Sequence, residues 1–332
     1  MNIDKTDLLN DERPLVIAEI GGNHGGSVEL AMRMVAAASA AGAEVVKFQT
    51  YRTRNLVSSN EDYFEDFDKE SLTPEEFRRL ANHCREMGVT FLSTPFDEES
   101  ADLLEELEVP AFKIASGDLN HLALLRHIAK KNKPIFLSTG ASTWKEIDQA
   151  VETITGLSSA QLVILHCVAA YPAPDAEANL KVIPEMEKRY GLPVGWSDHT
   201  LGIDLALASV ALGGRVIEKH FTTDQSLPGG DNEMSILPED LSRLLEGSRR
   251  IYSALGTADK APTAAESDLL PLLRRSLVVR ERLAAGEVIT AANLTAVRPA
   301  TGIPADRIDQ VVGKRAVTAL EAYSPLKWED LD

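Results

Sequence analysis

Eight times in its first 256 residues the chain places a short apolar run ahead of a longer amphipathic stretch. The runs fall at 15–20, 44–49, 89–93, 111–115, 134–138, 161–166, 193–196 and 215–218. They are rich in Val, Ile, Leu and Phe and nearly continuous in apolarity, as strands covered on both faces of a parallel sheet must be. Helix signals frame the stretches between them. Ser27 is placed to cap the first, and Gly42 stands where a terminating glycine belongs. Thr73-Pro74-Glu75-Glu76 supplies a cap and a first-turn proline, Ser142 to Glu146 supplies a second cap, and Pro238-Glu239-Asp240 opens a helix that ends near Gly256. The stretch between the sixth and seventh runs is weakly marked. Eight regular repeats predict an α/β chain folded as a (β/α)8 TIM barrel, rather than a doubly wound open sheet.

Such a barrel takes about 250 residues, so residues 1–256 of the 332 account for it. Residues 257–275 mix small, charged and proline residues and read as a linker with room for one helical turn. From Ser276 the pattern changes to short β-like pieces and turns, so 276–332 form a small β-rich module. The net charge of −17 argues against nucleic acid as a partner. It leaves room for small anions, because a global field is screened beyond about 8 Å at physiological salt. Cys84 and Cys167 have no CxxC partner, and a chain of this size needs no disulfide scaffold. There is no signal-peptide core at the N-terminus and no run of about 18 apolar residues. The expectation is a soluble cytoplasmic protein with no membrane partner.

In a barrel, chemistry collects at the C-terminal ends of the strands. Here those ends carry Glu19; Lys47 and Gln49; Thr94; Lys113, Ser116 and Asp118; Ser138; His166 with Tyr171 beyond; Ser197, Asp198 and His199; and Glu218, Lys219 and His220. Each has an ordinary reading alone, since histidines find structural hydrogen bonds, serines cap helices and lysines snorkel. The joint pattern has none. Lys47 and Lys113 lie inside buried runs, where an unpaired charge is costly. They predict a shared anion, and the neighbouring hydroxyls suit phosphate or carboxylate. His199 and His220 come from adjacent strands, and two neutral imidazoles suit a first-row divalent cation with open positions. The Gly-rich EIGGNHGG is neither a P-loop nor GxGxxG; its glycines let the loop bend over the barrel mouth.

AEIGGNHGGS, GAEVVKFQT, FLSTPFD, FKIASGD, LSTG, LHCVAAYP, GWSDHT and IEKHFT follow one another in the order found in sialic acid (nonulosonate) synthases. The chain resembles that family over residues 13–332, and RRSLVVRERLAAGEVITAANLTAVRPATGI resembles the family's antifreeze-like SAF domain. The resemblance implies a barrel plus SAF domain that condenses phosphoenolpyruvate with a 2-acetamido hexose such as N-acetylmannosamine, releasing phosphate. His199 and His220 match the metal pair, usually holding Mn2+, with Mg2+ or Co2+ as alternatives. Lys47, Lys113, Ser116, Ser138 and Ser197 match positions that hold phosphoenolpyruvate. Glu19, Gln49, Thr94, Tyr171, Glu218 and Asp231 fall where the family meets the sugar, and Asp118 stands where many members have glutamate. Arg298 matches an arginine that a partner's SAF domain inserts into the barrel mouth, which implies a domain-swapped homodimer. Glu19, Lys47, Glu218 and Arg298 form the implied catalytic set.

Three departures bear on the acceptor sugar. The segment after Gln49 is shorter than in N-acetylneuraminate synthases and leaves only Asn60 to match an acceptor-touching asparagine. Gly229-Gly230-Asp231-Asn232 replaces GPDH, and Asp118 is one methylene short of glutamate. Legionaminate and pseudaminate precursor sugars are therefore alternative acceptors. A non-catalytic sugar-binding barrel is disfavoured, because the buried lysines and both histidines are retained.

Overall fold

The computed structural model describes residues 2–3, 6–7 and 13–332. It divides into two compact units, Met1–Gly256 and Thr257–Asp332. The first contains eight parallel strands: β1 (Leu15–Gly21), β2 (Val45–Thr50), β3 (Thr90–Pro95), β4 (Phe112–Ile114), β5 (Ile135–Ser138), β6 (Leu162–Cys167), β7 (Val194–Asp198) and β8 (Val216–His220). Their ladder order is β3-β2-β1-β8-β7-β6-β5-β4. The two ends of that order, β3 and β4, lie side by side and close the sheet into a barrel. The strands alternate with α1 (Val28–Ala40), α2 (Pro74–Glu86), α3 (Glu98–Glu106), α4 (Leu122–Lys130), α5 (Trp144–Thr155), α6 (Val182–Tyr190), α7 (Asp204–Ala211) and α8 (Pro238–Leu255). The expected (β/α)8 architecture is borne out.

Local chemistry explains which helices were legible. The Ser27 hydroxyl accepts the Leu30 N–H at 3.2 Å, and Thr73–Glu76 and Thr143–Glu146 form reciprocal capping boxes. The weakly marked stretch is α6. Its N-cap residue, Lys181, makes no side-chain capping bond, and Pro184 lies inside its first turn.

Side chains on a strand alternate between faces, and this alternation builds the barrel in layers. Leu15, Ile17, Val45, Leu92, Ala111, Phe136, Val163, Leu165 and Val216 fill the interior towards the N-terminal ends of the strands. Gly195 completes this plug, because a Cβ there would stand 2.4 Å from the Val216 carbonyl oxygen and 2.7 Å from Leu165 Cδ2. The alternate residues, such as Val46, Phe48, Trp196 and Ile217, pack outward in the layer shared with the helices. Two positions beyond the plug, the same inward face turns polar: Glu19, Lys47, Thr94, Lys113, Ser138, Cys167, Ser197 and Glu218. One layer of oil therefore supports one layer of functional groups.

β7 and β8 extend further than their apolar runs, through Asp198 and His220. The ladder continues there because Lys219 and Asp198 are partners across the two strands. In the second unit, β9 (Ser276–Val279) pairs antiparallel with β10 (Leu294–Val297). Leu277, Val279, Ile289, Leu294, Val311 and Leu326 belong to its own apolar core. Between the barrel helices and β9, the chain makes a single turn at Ala264–Glu266 and a four-residue helix at Leu270–Leu273. No helix among the described residues is long and apolar enough to cross a membrane.

Candidate active site

A cavity of about 220 Å3 opens at the C-terminal ends of the strands. Its lining includes Glu19, Lys47, Gln49, Thr94, Lys113, Ser116, Ser138, Tyr171, Ser197, His199, Glu218 and His220, all singled out from the sequence. A larger cavity of about 650 Å3 lies at the opposite ends of the strands and contains none of them.

The two buried lysines already face carboxylates of the chain itself. Lys47 Nζ lies 2.8 Å from Glu19 Oε2 and 3.8 Å from Glu218 Oε2, and donates to Thr94 Oγ1 at 2.8 Å. Lys113 Nζ lies 3.5 Å from Glu218 Oε1 and donates to the Ile114 carbonyl at 3.2 Å. Both lysines reach Glu218 and Lys47 also reaches Glu19, so two ammonium and two carboxylate groups form one buried cluster. The groups differ in how they carry charge. Burial alone pushes Glu218 up, but Lys113, Lys47 and the Ser197 hydroxyl, which donates to it at 2.9 Å, together hold it well below the usual carboxylate range. Glu19 is pushed up by burial, which Lys47 only partly offsets and the Glu218 charge reinforces. Burial also lowers Lys113, which has the longer carboxylate contact. Two like groups whose environments drive them apart are the usual arrangement of an acid and a base.

His199 and His220 stand with ring centroids 5.3 Å apart, and the Tyr171 ring lies 4.2 Å from that of His199. His199 Nδ1 is bonded to the Val168 carbonyl at 2.8 Å, which fixes Nδ1 as the protonated nitrogen and leaves the Nε2 lone pair available. Burial lowers the pKa of both rings and favours the neutral imidazoles a metal requires. His220 Nδ1 is buried with no hydrogen-bond partner among the described residues. This donor set suits a divalent cation. Among the described residues no group of three or more His, Cys, Asp or Glu is arranged to hold a metal ion.

Phe96, Ala115 to Gly117, Ala169 and Tyr171 bring the loops after β3, β4 and β6 into the cavity lining, while the loops after β1, β2 and β8 pack on one another beside His220. Asn23 is buried and holds two of them together: its side chain donates to the Phe221 carbonyl and to Ser235 Oγ, and accepts from the Asp231 N–H at 2.7 Å. Asp231 Oδ2 lies 3.6 Å from His220 Nδ1. From the segment after β2, Glu70 accepts the Gly230 N–H at 3.2 Å and abuts Gly22. Asp118 is half-buried at the end of a single turn, Ser116–Asp118, outside the cavity lining, and burial pushes it up to about 6. Asn60 is exposed, and Arg298 is exposed within the second unit.

Two residues escaped the sequence reading. On β6 the group facing the cavity is Cys167, not His166, which turns outward to the Ala178 carbonyl and the Trp196 ring. Counting two from the interior Leu165 identifies it. Glu70 carried no local signal, because its partners are loop backbone from distant parts of the chain.

Residues 34–260 match the NeuB family and residues 274–332 the SAF domain. The chain belongs to the NeuB family. Among relatives, the N,N'-diacetyllegionaminic acid synthase of Campylobacter jejuni is 39% identical over 92% of this chain and 96% of its own length. That of Legionella pneumophila is 38% identical over 96% and 94%. The crystal structure of N-acetylneuraminic acid synthetase from Leptospira borgpetersenii, in complex with citrate, superposes with a TM-score of 0.75 at 35% identity. It covers 77% of this chain and 90% of that one. The NeuB match spans most of the barrel, and the SAF match spans β9 and β10.

Proposed function

We propose that the protein condenses phosphoenolpyruvate with the open-chain form of a 2-acetamido hexose, giving a nonulosonic acid and inorganic phosphate. One observation carries this reading: two buried lysines, three serine hydroxyls and two neutral imidazoles line a single small cavity. Lys47 and Lys113, with Ser116, Ser138 and Ser197, bind the phosphate and carboxylate of phosphoenolpyruvate and hold its C3 towards the aldehyde, a proximity effect. Ser138 Oγ is buried without a partner among the described residues, as a hydroxyl reserved for a ligand would be. A divalent ion held by His199 and His220, manganese by family resemblance with magnesium or cobalt as alternatives, supplies Lewis acidity to the aldehyde when bound.

The chain's own groups then move protons. The C3 electron pair forms the carbon–carbon bond, and Glu19, the carboxyl raised by burial, donates to the aldehyde oxygen. Water adds at the cationic C2, its proton passing to Glu218, which Lys113 and Lys47 keep ionised. Collapse of the tetrahedral centre restores the C2 carbonyl and breaks the C2–O bond to phosphate, which leaves with the remaining hydroxyl proton. Gln49, Thr94, Tyr171 and Asp231 contact the sugar. Arg298 reaches a neighbour's barrel in a domain-swapped homodimer; a fully active monomer in sedimentation would overturn that point.

The acceptor has a second reading. The relatives at 39% and 38% identity are named for a product with two N-acetyl groups. Phosphoenolpyruvate contributes neither, so an acceptor bearing two acetamido groups is favoured over N-acetylmannosamine for a chain with this short segment after β2. Phosphate release with Mn2+ and phosphoenolpyruvate, run against singly and doubly acetamidated hexoses, tests both. Release that depends on one of them is expected, and none with any 2-acetamido sugar would sink the proposal.

A further inference from the structure

We infer that Lys219 and Asp198 act as a positioning pair that sets the geometry of the cation site at His199 and His220. This rests on the metal reading above. Neither side chain faces the cavity. On β7 and β8 the inward residues are Ser197 and Glu218, so Asp198 and Lys219 occupy the outward face, in line with Trp196 and Ile217. That face is the apolar layer between strands and helices, and both charged side chains are fully buried in it, at 0% exposure.

A buried ion pair is seldom worth more than an apolar pair of similar volume, because desolvation offsets the attraction. What this pair supplies is geometric. Lys219 Nζ donates to Asp198 Oδ2 at 2.9 Å and to the Thr200 carbonyl. Asp198 Oδ1 accepts the Thr200 N–H at 2.8 Å and its hydroxyl at 2.7 Å. The residues on either side of His199 are therefore bolted to each other and to β8. Its imidazole is held separately by the Val168 carbonyl. Lys219 immediately precedes His220 and is the ladder partner of Asp198. One charge pair thus fixes the backbone at both imidazoles, on two strands, from behind the sheet.

The test is Mn2+ binding to substrate-free protein, followed by the electron paramagnetic resonance of free Mn2+, beside thermal unfolding. The proteins are wild type, Asp198→Asn, Lys219→Met and the double variant. Asp198→Asn keeps an oxygen for Thr200 and removes the charge. The double variant leaves no orphaned buried charge, so it carries the test if a single variant fails to fold. Folded variants are expected to bind Mn2+ about 10- to 100-fold more weakly, the usual effect of losing groups that orient metal ligands. The double variant recovers cooperative unfolding without recovering affinity. Lowered melting temperatures with wild-type Mn2+ affinity would reduce the pair to a structural one and overturn the inference. A wild type that binds no Mn2+ would overturn the metal reading, and this inference with it.

Discussion

Lys113 shows how far a single residue could be read in advance. A lysine within a buried run demands a counter-charge, and that much is local. Its partner is not: Glu218 comes from the last strand and meets Lys113 only when the barrel closes. With one long carboxylate contact and a pKa lowered by burial, Lys113 is the ammonium least committed to the protein. Under the proposed reaction, saturating phosphoenolpyruvate at about 100 times its Kd stabilises the wild type by about 2.7 kcal/mol. Lys113→Met is expected to abolish most of that shift in a thermal unfolding scan with and without the ligand. An undiminished shift would remove Lys113 from the anion site. Cys167 teaches the complementary lesson, since a one-residue error in register moved attention to His166 and the wrong face of β6.

At the scale of elements, capped helices were legible because their signals are local. Thr73 with Glu76 and Thr143 with Glu146 lie three residues apart and close their boxes without help from the rest of the fold. The loops after β1 and β2 are the opposite case. Gly26 has φ +76°, and a Cβ there would lie 2.0 Å from the Lys69 carbonyl oxygen. The glycine lets the chain after β2 lie against the β1 loop, and nothing in the local motif names Lys69. Gly26→Ala is expected to cost about 1–3 kcal/mol in urea unfolding. It should also expose residues 51–72 to limited proteolysis. An unchanged midpoint and cleavage pattern would mean the segment is anchored elsewhere, through Glu70 for example.

For the whole molecule, the β1 loop gives folding a pH dependence. His24 is buried, its Nδ1 accepts the Gly26 N–H at 3.1 Å as only a neutral ring can, and burial lowers its pKa from 6.5 to about 4, against a small opposing pull from Glu76. Between those values the unfolded chain binds more protons than the folded one. The contribution is therefore complete above pH 6.5 and is lost as pH falls towards 4, up to about 3 kcal/mol. Urea midpoints at pH 7 and 4.5 should converge in His24→Gln relative to wild type, and an equal fall in both would acquit His24. The sequence by itself determined the repeat, the two-part organisation and the strand ends where polar groups gather, because periodicity and capping act over a few residues. Only the tertiary structure decided who pairs with whom. Lys47 with Glu19, Lys219 with Asp198 and Glu70 with Gly230 join distant segments, and their partnership depends on barrel closure and on which face of each strand is turned inward.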